Sequence, residues 1–439
     1  MDKEKLLKLR GCLLSAWSDA RTRTSSFDPA SREPYQLLVR PDGTGIVLGE
    51  TGIRCLNESI ELISEDDLLG KRFSRTRLWS EVRTLLSSLF DVDPTNIEKE
   101  MSQGITSLIE KLEKMPVLQW RVLVPIHNLI LKVPSLEIGR VRLAIFEKAE
   151  HDEVLTTVQK LNETTTSPEP VKKSAMQIVT DVLSKTYLHE TVATASVDAV
   201  DENQALAVAE EETEHALNVL RFYGALGNNT RMRQVFIGPE GTVFQGRHIT
   251  LCLAGDRFFL PWRITGYLFE FEIDANTLAL MDKLSFQRLR EISKKSHEER
   301  TGFERLLVTA IDFYGRATNE PSPRNAYITF LISLESLLLK EGEPRSLLAE
   351  RVALVVGKDT ETRTTLFEQT RAAYRLRSDI VHHGFDDVTE DDVWHVSTIG
   401  FQVIVRLIAM SAQLNDIGQV IAMCTKSKFG GPPFGEASG

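Results

Sequence analysis

Residues 371–384 read Arg-Ala-Ala-Tyr-Arg-Leu-Arg-Ser-Asp-Ile-Val-His-His-Gly, and they set the class of everything around them. They have the form of a helix end. Gly384 is a natural residue for the left-handed position just past a helix, and His382 and His383 sit in the last turn, where the helix dipole favours cations. Working outward, helical patterning runs from Leu280 to about Met423, with helices predicted over 277–296, 301–317, 323–340, 345–356, 361–383 and 389–413. This makes residues 276–427 an all-helical region.

Upstream the pattern changes. Residues 1 to about 25 carry Leu6, Leu7, Leu9, Leu13, Leu14 and Trp17 at helical spacing. Tyr35–Arg40 and Gly45–Leu48 flank Pro41-Asp42-Gly43-Thr44 and read as a hairpin. Residues 75–114 read as helical, with Thr95 as a cap after Asp93-Pro94. Strand patterns occupy 118–132, 136–146, 191–197, 232–237, 248–254 and 264–274, and Asp201-Glu202-Asn203 opens a helix to about Tyr223. The polar segment 162–173 reads as a loop or linker, and 428–439, rich in Gly and Pro, as a disordered tail. The fold class predicted is α+β: a mixed α/β region over 1–275, with a subdivision near 115–175, followed by the helical region.

Composition narrows the function classes. The 439 residues fit two or three domains, and 42% hydrophobic with 26% charged residues is ordinary for a globular chain. The formal net charge of −10 argues against a broadly basic nucleic-acid coat and leaves room for a local basic site. Cys12, Cys55, Cys252 and Cys424 are far apart, so neither a zinc ribbon nor a dense disulfide framework is indicated, and free thiols in a reducing compartment are expected. The start of the chain lacks the apolar core of a secretory signal, and no stretch reaches the ~18 uninterrupted apolar residues of a membrane span. Together these features predict a soluble, cytoplasmic protein with no membrane partner.

Strong catalytic motifs are missing. There is no GxxxxGK[ST], no GxGxxG after a strand, no HExxH and no GxSxG, and the cluster Gly224–Asn229 lacks the lysine of a phosphate loop. Two readings of 371–384 then stand side by side. One is structural: helix capping and a solvated face. The other is metal-free RNA cleavage, in which the RNA 2′-OH attacks the adjacent phosphate. That reaction needs a proton-transfer group with a pKa near neutrality, such as His382, and a cation for the developing phosphorane charge, such as Arg377. The two are five positions apart, about 140° around an ideal helix with about 7.5 Å of rise, so one regular helix does not face them together. A long arginine side chain, a frayed helix end or a second subunit would be needed.

The run Tyr374–Gly384 resembles the Arg-x4-6-His signature of the HEPN superfamily, most closely its Apea-like branch, found in prokaryotic defence and toxin proteins. Tyr327–Leu338, an apolar run carrying Glu335, is similar to another helix of that family. The resemblance covers roughly residues 300–425, under a third of the chain. Residues 120–129, 136–139 and 216–223 look like the β-rich region that precedes the helical domain in some Apea-like proteins, here read as a sensor or assembly region. The resemblance implies a four- to five-helix bundle that pairs with a second copy, so that two motifs form one cleft. It implies a metal-independent endoribonuclease, without cofactor, acting as a defence or toxin effector. Arg377 and His382 would be its catalytic pair, with Ser378, Asp379, His383, Tyr374 and Glu335 supporting and Arg371 and Arg375 contacting RNA. An antitoxin or other regulatory protein would be a further partner. One departure stands out: many active members have Asn, His or Asp after the arginine, where this chain has Ser378. Some HEPN proteins bind without cutting, so a nucleotide- or RNA-binding dimerisation module is the alternative.

The remaining candidates have structural readings. Glu335 on an apolar face needs a partner, and an arginine of the motif helix fits. Residues 386–392 hold five acids among seven residues, with Thr389 and Asp392 placed as a capping box. Residues 301–427 carry 13 Lys+Arg against 17 Asp+Glu, so RNA attraction must come from a focused patch, such as the basic 283–305 segment with the motif arginines. The histidines outside the motif lack the spacing of a metal pair on one helix, and His395 alone comes near the motif in the predicted helix order.

Overall fold

The computed structural model describes the chain apart from residues 26–34, 40–43, 67, 71, 165–166, 225–235, 240–245, 250–251, 255–256, 260–261, 266–269, 345, 385–386 and 436–439. The Asp42-Gly43 turn, the glycine cluster past Gly224, the strand pattern at 232–235 and Asp386 therefore lie outside the described residues. The protein is mixed α/β with a C-terminal helical region, and it divides into two compact units, one of Met1–Val122 with Ser196–Glu210, the other of Leu123–Ala195 with Glu211–Gly439.

The first unit contains α1 (Lys3–Ser25), β1 (Gln36–Val39), β2 (Gly45–Leu48), α2 (Glu50–Ser64), α3 (Arg75–Ser88) and α4 (Ile97–Lys114). Leu9, Leu13, Ala16 and Trp17 of α1 pack with Leu56, Ile60 and Ile63 of α2, Leu78 and Val82 of α3, and Met101 and Ile105 of α4. The i, i+4, i+7 spacing in α1 places these side chains on one stripe. The indole of Trp17 donates to the Leu89 carbonyl at 2.8 Å, so its buried N–H is satisfied. β1 and β2 pair antiparallel as the hairpin pattern predicts. Residues 75–114 form two helices, the second starting just after Asp93–Asn96 as read from the sequence. In the break, Asp93 accepts from both the backbone N–H and the hydroxyl of Thr95, so Thr95 is a donor in the turn and not the cap of α4. The buried Asp201 accepts from the backbone and hydroxyl of Ser74, the cap of α3, and from the backbone N–H groups of Asn203 and Gln204.

Further along come β3 (Leu118–His127), β4 (Leu129–Leu131), β5 (Leu136–Ile138), β6 (Val141–Ile145), α5 (Lys148–Thr164), α6 (Glu169–Val182), a π-helical turn at Leu183–Tyr187, β7 (Thr191–Ala199) and α7 (Glu202–Gly224). The short strands β8 (Gly238–Pro239), β9 (Gly246–Ile249), β10 (Cys252–Ala254), β11 (Arg257–Phe259), β12 (Trp262–Thr265) and β13 (Phe271–Ile273) follow. The main sheet has the order β5-β6-β7-β3-β8. Its β5–β6 hairpin turns at Gly139, whose φ of +61° favours glycine. The polar segment 162–173 is not a linker. It is largely helical, the end of α5 and the start of α6, with Pro168 at the N-terminus of α6 where a proline is tolerated. Neither helix fully buries a residue, which is why their composition resembles a loop.

The helical region comprises α8 (Ala275–Lys283), α9 (Phe286–Lys294), α10 (Gly302–Asn319), α11 (Pro323–Leu338), α12 (Leu347–Val356), α13 (Thr360–His383), α14 (Glu390–Met410), a 3-10 turn at Ser411–Gln413 and α15 (Ile417–Lys428). The single helix expected over 277–296 breaks at Ser285, which adopts φ +67°. The Thr389–Asp392 capping box is present at the start of α14. By length and composition α14 is apolar enough to cross a membrane. It is a core helix here, with Val403, Ile404, Leu407 and Ile408 buried inside the unit.

The composition shift near residue 275 marks a change of secondary structure, not the edge of a core. From α7, Phe222 packs on Tyr314 of α10 and Phe401 of α14, with ring centroids 5.0 and 4.9 Å apart, and Tyr223 packs on Phe286 of α9 at 5.2 Å. These contacts place the sheet-side segment 211–224 and the helical region in one unit, so a boundary at 275/276 does not separate two cores. The tail is also not wholly disordered. Phe434 is buried and its carbonyl accepts from Arg406 at 2.6 Å, because one aromatic side chain in a Gly/Pro segment is enough to dock it on an apolar wall.

Two consequences are measurable. Phe434→Ala should cost roughly 3 kcal/mol in chemical denaturation, a value near zero being expected of a free tail. On α12, Arg351 forks onto Glu343 at 2.5 and 2.7 Å, and these hydrogen bonds hold the Glu343 carboxyl down at about 2 from the ordinary 4.5. A depressed folded pKa stabilises fully above the unfolded value and loses its effect as pH falls toward the folded one. The melting-temperature gap between wild type and Glu343→Gln should therefore be widest above pH 4.5 and close toward pH 2.

Candidate functional site

The motif stretch occupies the last three turns of α13, and α11 holds it from one side. The Tyr327 hydroxyl donates to the Ala373 carbonyl at 2.8 Å, and burial raises this phenol above its ordinary pKa, so it remains a donor. Arg324 donates to the Ile380 carbonyl at 3.4 Å. From the same helix, Glu335 places a carboxylate oxygen 3.4 Å from Nε of Arg377, and the two side chains are only 19% and 11% exposed. The facing atoms, Glu335 Oε1 and Arg377 Nε, are buried without a hydrogen bond, so the contact is an ion pair and not a directed bond. The Arg377 guanidinium also lies over the Tyr374 ring, 5.4 Å from its centroid. Arg377 is therefore gripped from two sides and has little freedom to swing.

His382 is exposed, and no hydrogen bond or ion pair engages it among the described residues. The helix remains regular through His383 and closes at Gly384, in the left-handed conformation, whose N–H bonds back to the Asp379 carbonyl. A frayed end that would swing His382 toward Arg377 is thus not the arrangement found. Within one chain the structure brings Glu335, Tyr374 and Arg377 together and leaves His382 apart from them. His383 is exposed and pairs with Asp379 at 3.5 Å, Arg371 pairs with Glu368 at 3.5 Å, Arg375 is exposed, and Ser378 is half-buried. Beside the motif helix is a cavity of about 220 Å³ lined by Tyr327, Gln369, Ala373, Leu376, Asp392 and His395. His395 thus does meet the motif helix, with its Nδ1 2.6 Å from the Asp391 carbonyl.

The structure also assembles a group that sequence spacing does not reveal. His215 of α7 has Nδ1 at 2.8 Å from Asp312 of α10 and Nε2 at 3.0 Å from the Ser293 hydroxyl of α9. The order Asp–His–Ser is that of a nucleophilic triad. Ser293 is 2% and His215 8% exposed, so no substrate reaches the hydroxyl, and the three residues act as a polar tie between helices. They come from three helices separated in sequence, so no local motif announces them. Among the described residues no three His, Cys, Asp or Glu side chains converge as a metal-binding group. Comparison with known proteins finds no matching family model, no similar curated protein and no similar solved structure.

Proposed function

We propose that the chain is a metal-independent endoribonuclease of the HEPN type, acting in the cytoplasm as a defence or toxin effector, whose cleft is completed by a second copy. The observation that carries this reading is the contrast on α13. Arg377 is fixed by Glu335 and Tyr374, while His382, one and a half turns on, is solvent-exposed with no partner engaging its ring among the described residues. A preoriented guanidinium stabilises charge developing on a phosphorane without reorganising at the moment of reaction. A free imidazole takes the proton from the RNA 2′-OH or returns one to the 5′-oxygen that leaves. The 2′-oxygen bonds to phosphorus, the P–O5′ bond breaks, and the products carry a 2′,3′-cyclic phosphate and a 5′-OH. The separation of the two groups within one helix is what favours supplying them from two chains around a two-fold axis. Apolar residues of α14 do not add to that argument, since Ile404, Leu407 and Ile408 are already buried inside the unit. The free thiols Cys12, Cys55 and Cys424 suit a reducing compartment.

The burial of Arg377 favours a second reading, a non-catalytic RNA- or nucleotide-binding module in which the ion pair only braces α11 on α13. Incubating end-labelled RNA with the protein in EDTA separates the two: cyclic-phosphate products support cleavage, and retention without products supports binding.

His382→Ala should lower cleavage by ~10²–10⁴ with stability within about 0.5 kcal/mol of wild type. Arg377→Ala should be as inactive and should also lose about 1–3 kcal/mol, because it strands the Glu335 carboxylate. His383→Ala should be milder. Cleavage rates and melting curves of the three variants check this; a His382→Ala protein that cuts at the wild-type rate defeats the assignment. If the cleft is shared between copies, mixing Arg377→Ala with His382→Ala protein should restore cleavage that neither shows alone, and sedimentation at tens of micromolar should show a dimer.

A further inference from the structure

A cavity of about 450 Å³ lies between the end of α12, the middle of α14 and the C-terminal tail, in the size range of small-molecule sites, about 300–1,000 Å³. Its walls include Leu354 from α12, Phe401 and Val405 from α14, and Phe434 from the tail. Among the described residues Lys358 and Arg406 are the charged members of the lining, and no described carboxylate belongs to it. In a chain of formal net charge −10, that makes the opening a local positive site.

The wall made by the tail is built rather than draped. Phe434 is 2% exposed, and its carbonyl takes one N–H of Arg406 at 2.6 Å. The next residue, Gly435, has φ +81°, a backbone conformation that favours glycine, and it lies against the Met410 side chain. Arg406 is thereby held in place at the cavity with the rest of its fork of donors unused among the described residues. Lys358 is exposed and makes no ion pair or hydrogen bond among the described residues. By contrast, Lys428 on the neighbouring α15 is already paired with Glu350 at 2.8 Å.

We propose that this cavity binds a small amphipathic carboxylate, such as a medium-chain fatty acid, with its hydrocarbon body against Leu354, Phe401, Val405 and Phe434 and its carboxylate between Lys358 and Arg406. Burying the body removes apolar surface from water, and one delocalised negative charge matches a free ammonium and the unused half of a guanidinium. The site is separate from the motif on α13 and does not depend on its activity.

The test is calorimetric titration of the full chain with decanoate, decanol and decylamine, repeated with Lys358→Glu. Lys358 is exposed and has no partner among the described residues, so the substitution should leave the melting temperature of the free protein unchanged. The wild type should bind one decanoate with Kd below about 1 mM and bind decanol and decylamine about tenfold or more weakly. Lys358→Glu should weaken decanoate about tenfold or more and favour decylamine instead. No decanoate binding to the wild type, equal binding of decanol, or unchanged decanoate affinity in Lys358→Glu would each overturn the proposal.

Discussion

The close crossing of α7 on α10 is the constraint on which the larger unit depends. A Cβ at Gly315 would fall 2.5 Å from the Cα of Asn218, so the two backbones approach as only glycine permits. That approach lets Phe222 reach Tyr314, whose ring continues to Phe330 of α11 at 4.8 Å, and it brings His215 within hydrogen-bond range of Asp312. The Tyr314 hydroxyl, fully inside, donates to the Ser397 carbonyl of α14 at 3.0 Å. One helix that precedes the short strands is in this way the centre of a core built mainly from helices that follow them.

Once α10 and α14 are placed, α11 has a fixed face to offer α13. The face carries Tyr327 and Glu335, and its contacts are polar: a hydroxyl to a backbone carbonyl and a carboxylate to a guanidinium. Polar contacts of this kind add less stability than apolar packing, and they specify position more narrowly. The outcome on α13 is one cation held nearly still and one imidazole left to solvent. That asymmetry separates the motif from an ordinary capped helix end, where both groups would be free.

The tail shows how little chain is needed to build a second site. A single buried phenylalanine, an arginine from α14 and a glycine with positive φ turn a polar terminus into one wall of a cavity. The lining then combines apolar surface with the positive charge of Lys358 and Arg406, a pairing that neither α12 nor α14 presents alone.

Much of this was legible in the sequence. The helices over 301–317, 323–340, 345–356, 361–383 and 389–413 follow from apolar periodicity, with ends marked by Gly384 and the Thr389–Asp392 box, because these signals act within a turn or two of chain. The need of Glu335 for a cationic partner was equally legible, since a carboxylate on an apolar stripe must be compensated. Other features depended on the tertiary structure. Which arginine Glu335 meets, the burial of Phe434, the grouping of His215 with Ser293 and Asp312, and the joining of 211–224 to the helical core all arise between residues distant in sequence. Composition registers a change in local structure at residue 275, whereas a core is defined by which side chains exclude water together, and that is decided only when the chain has closed on itself.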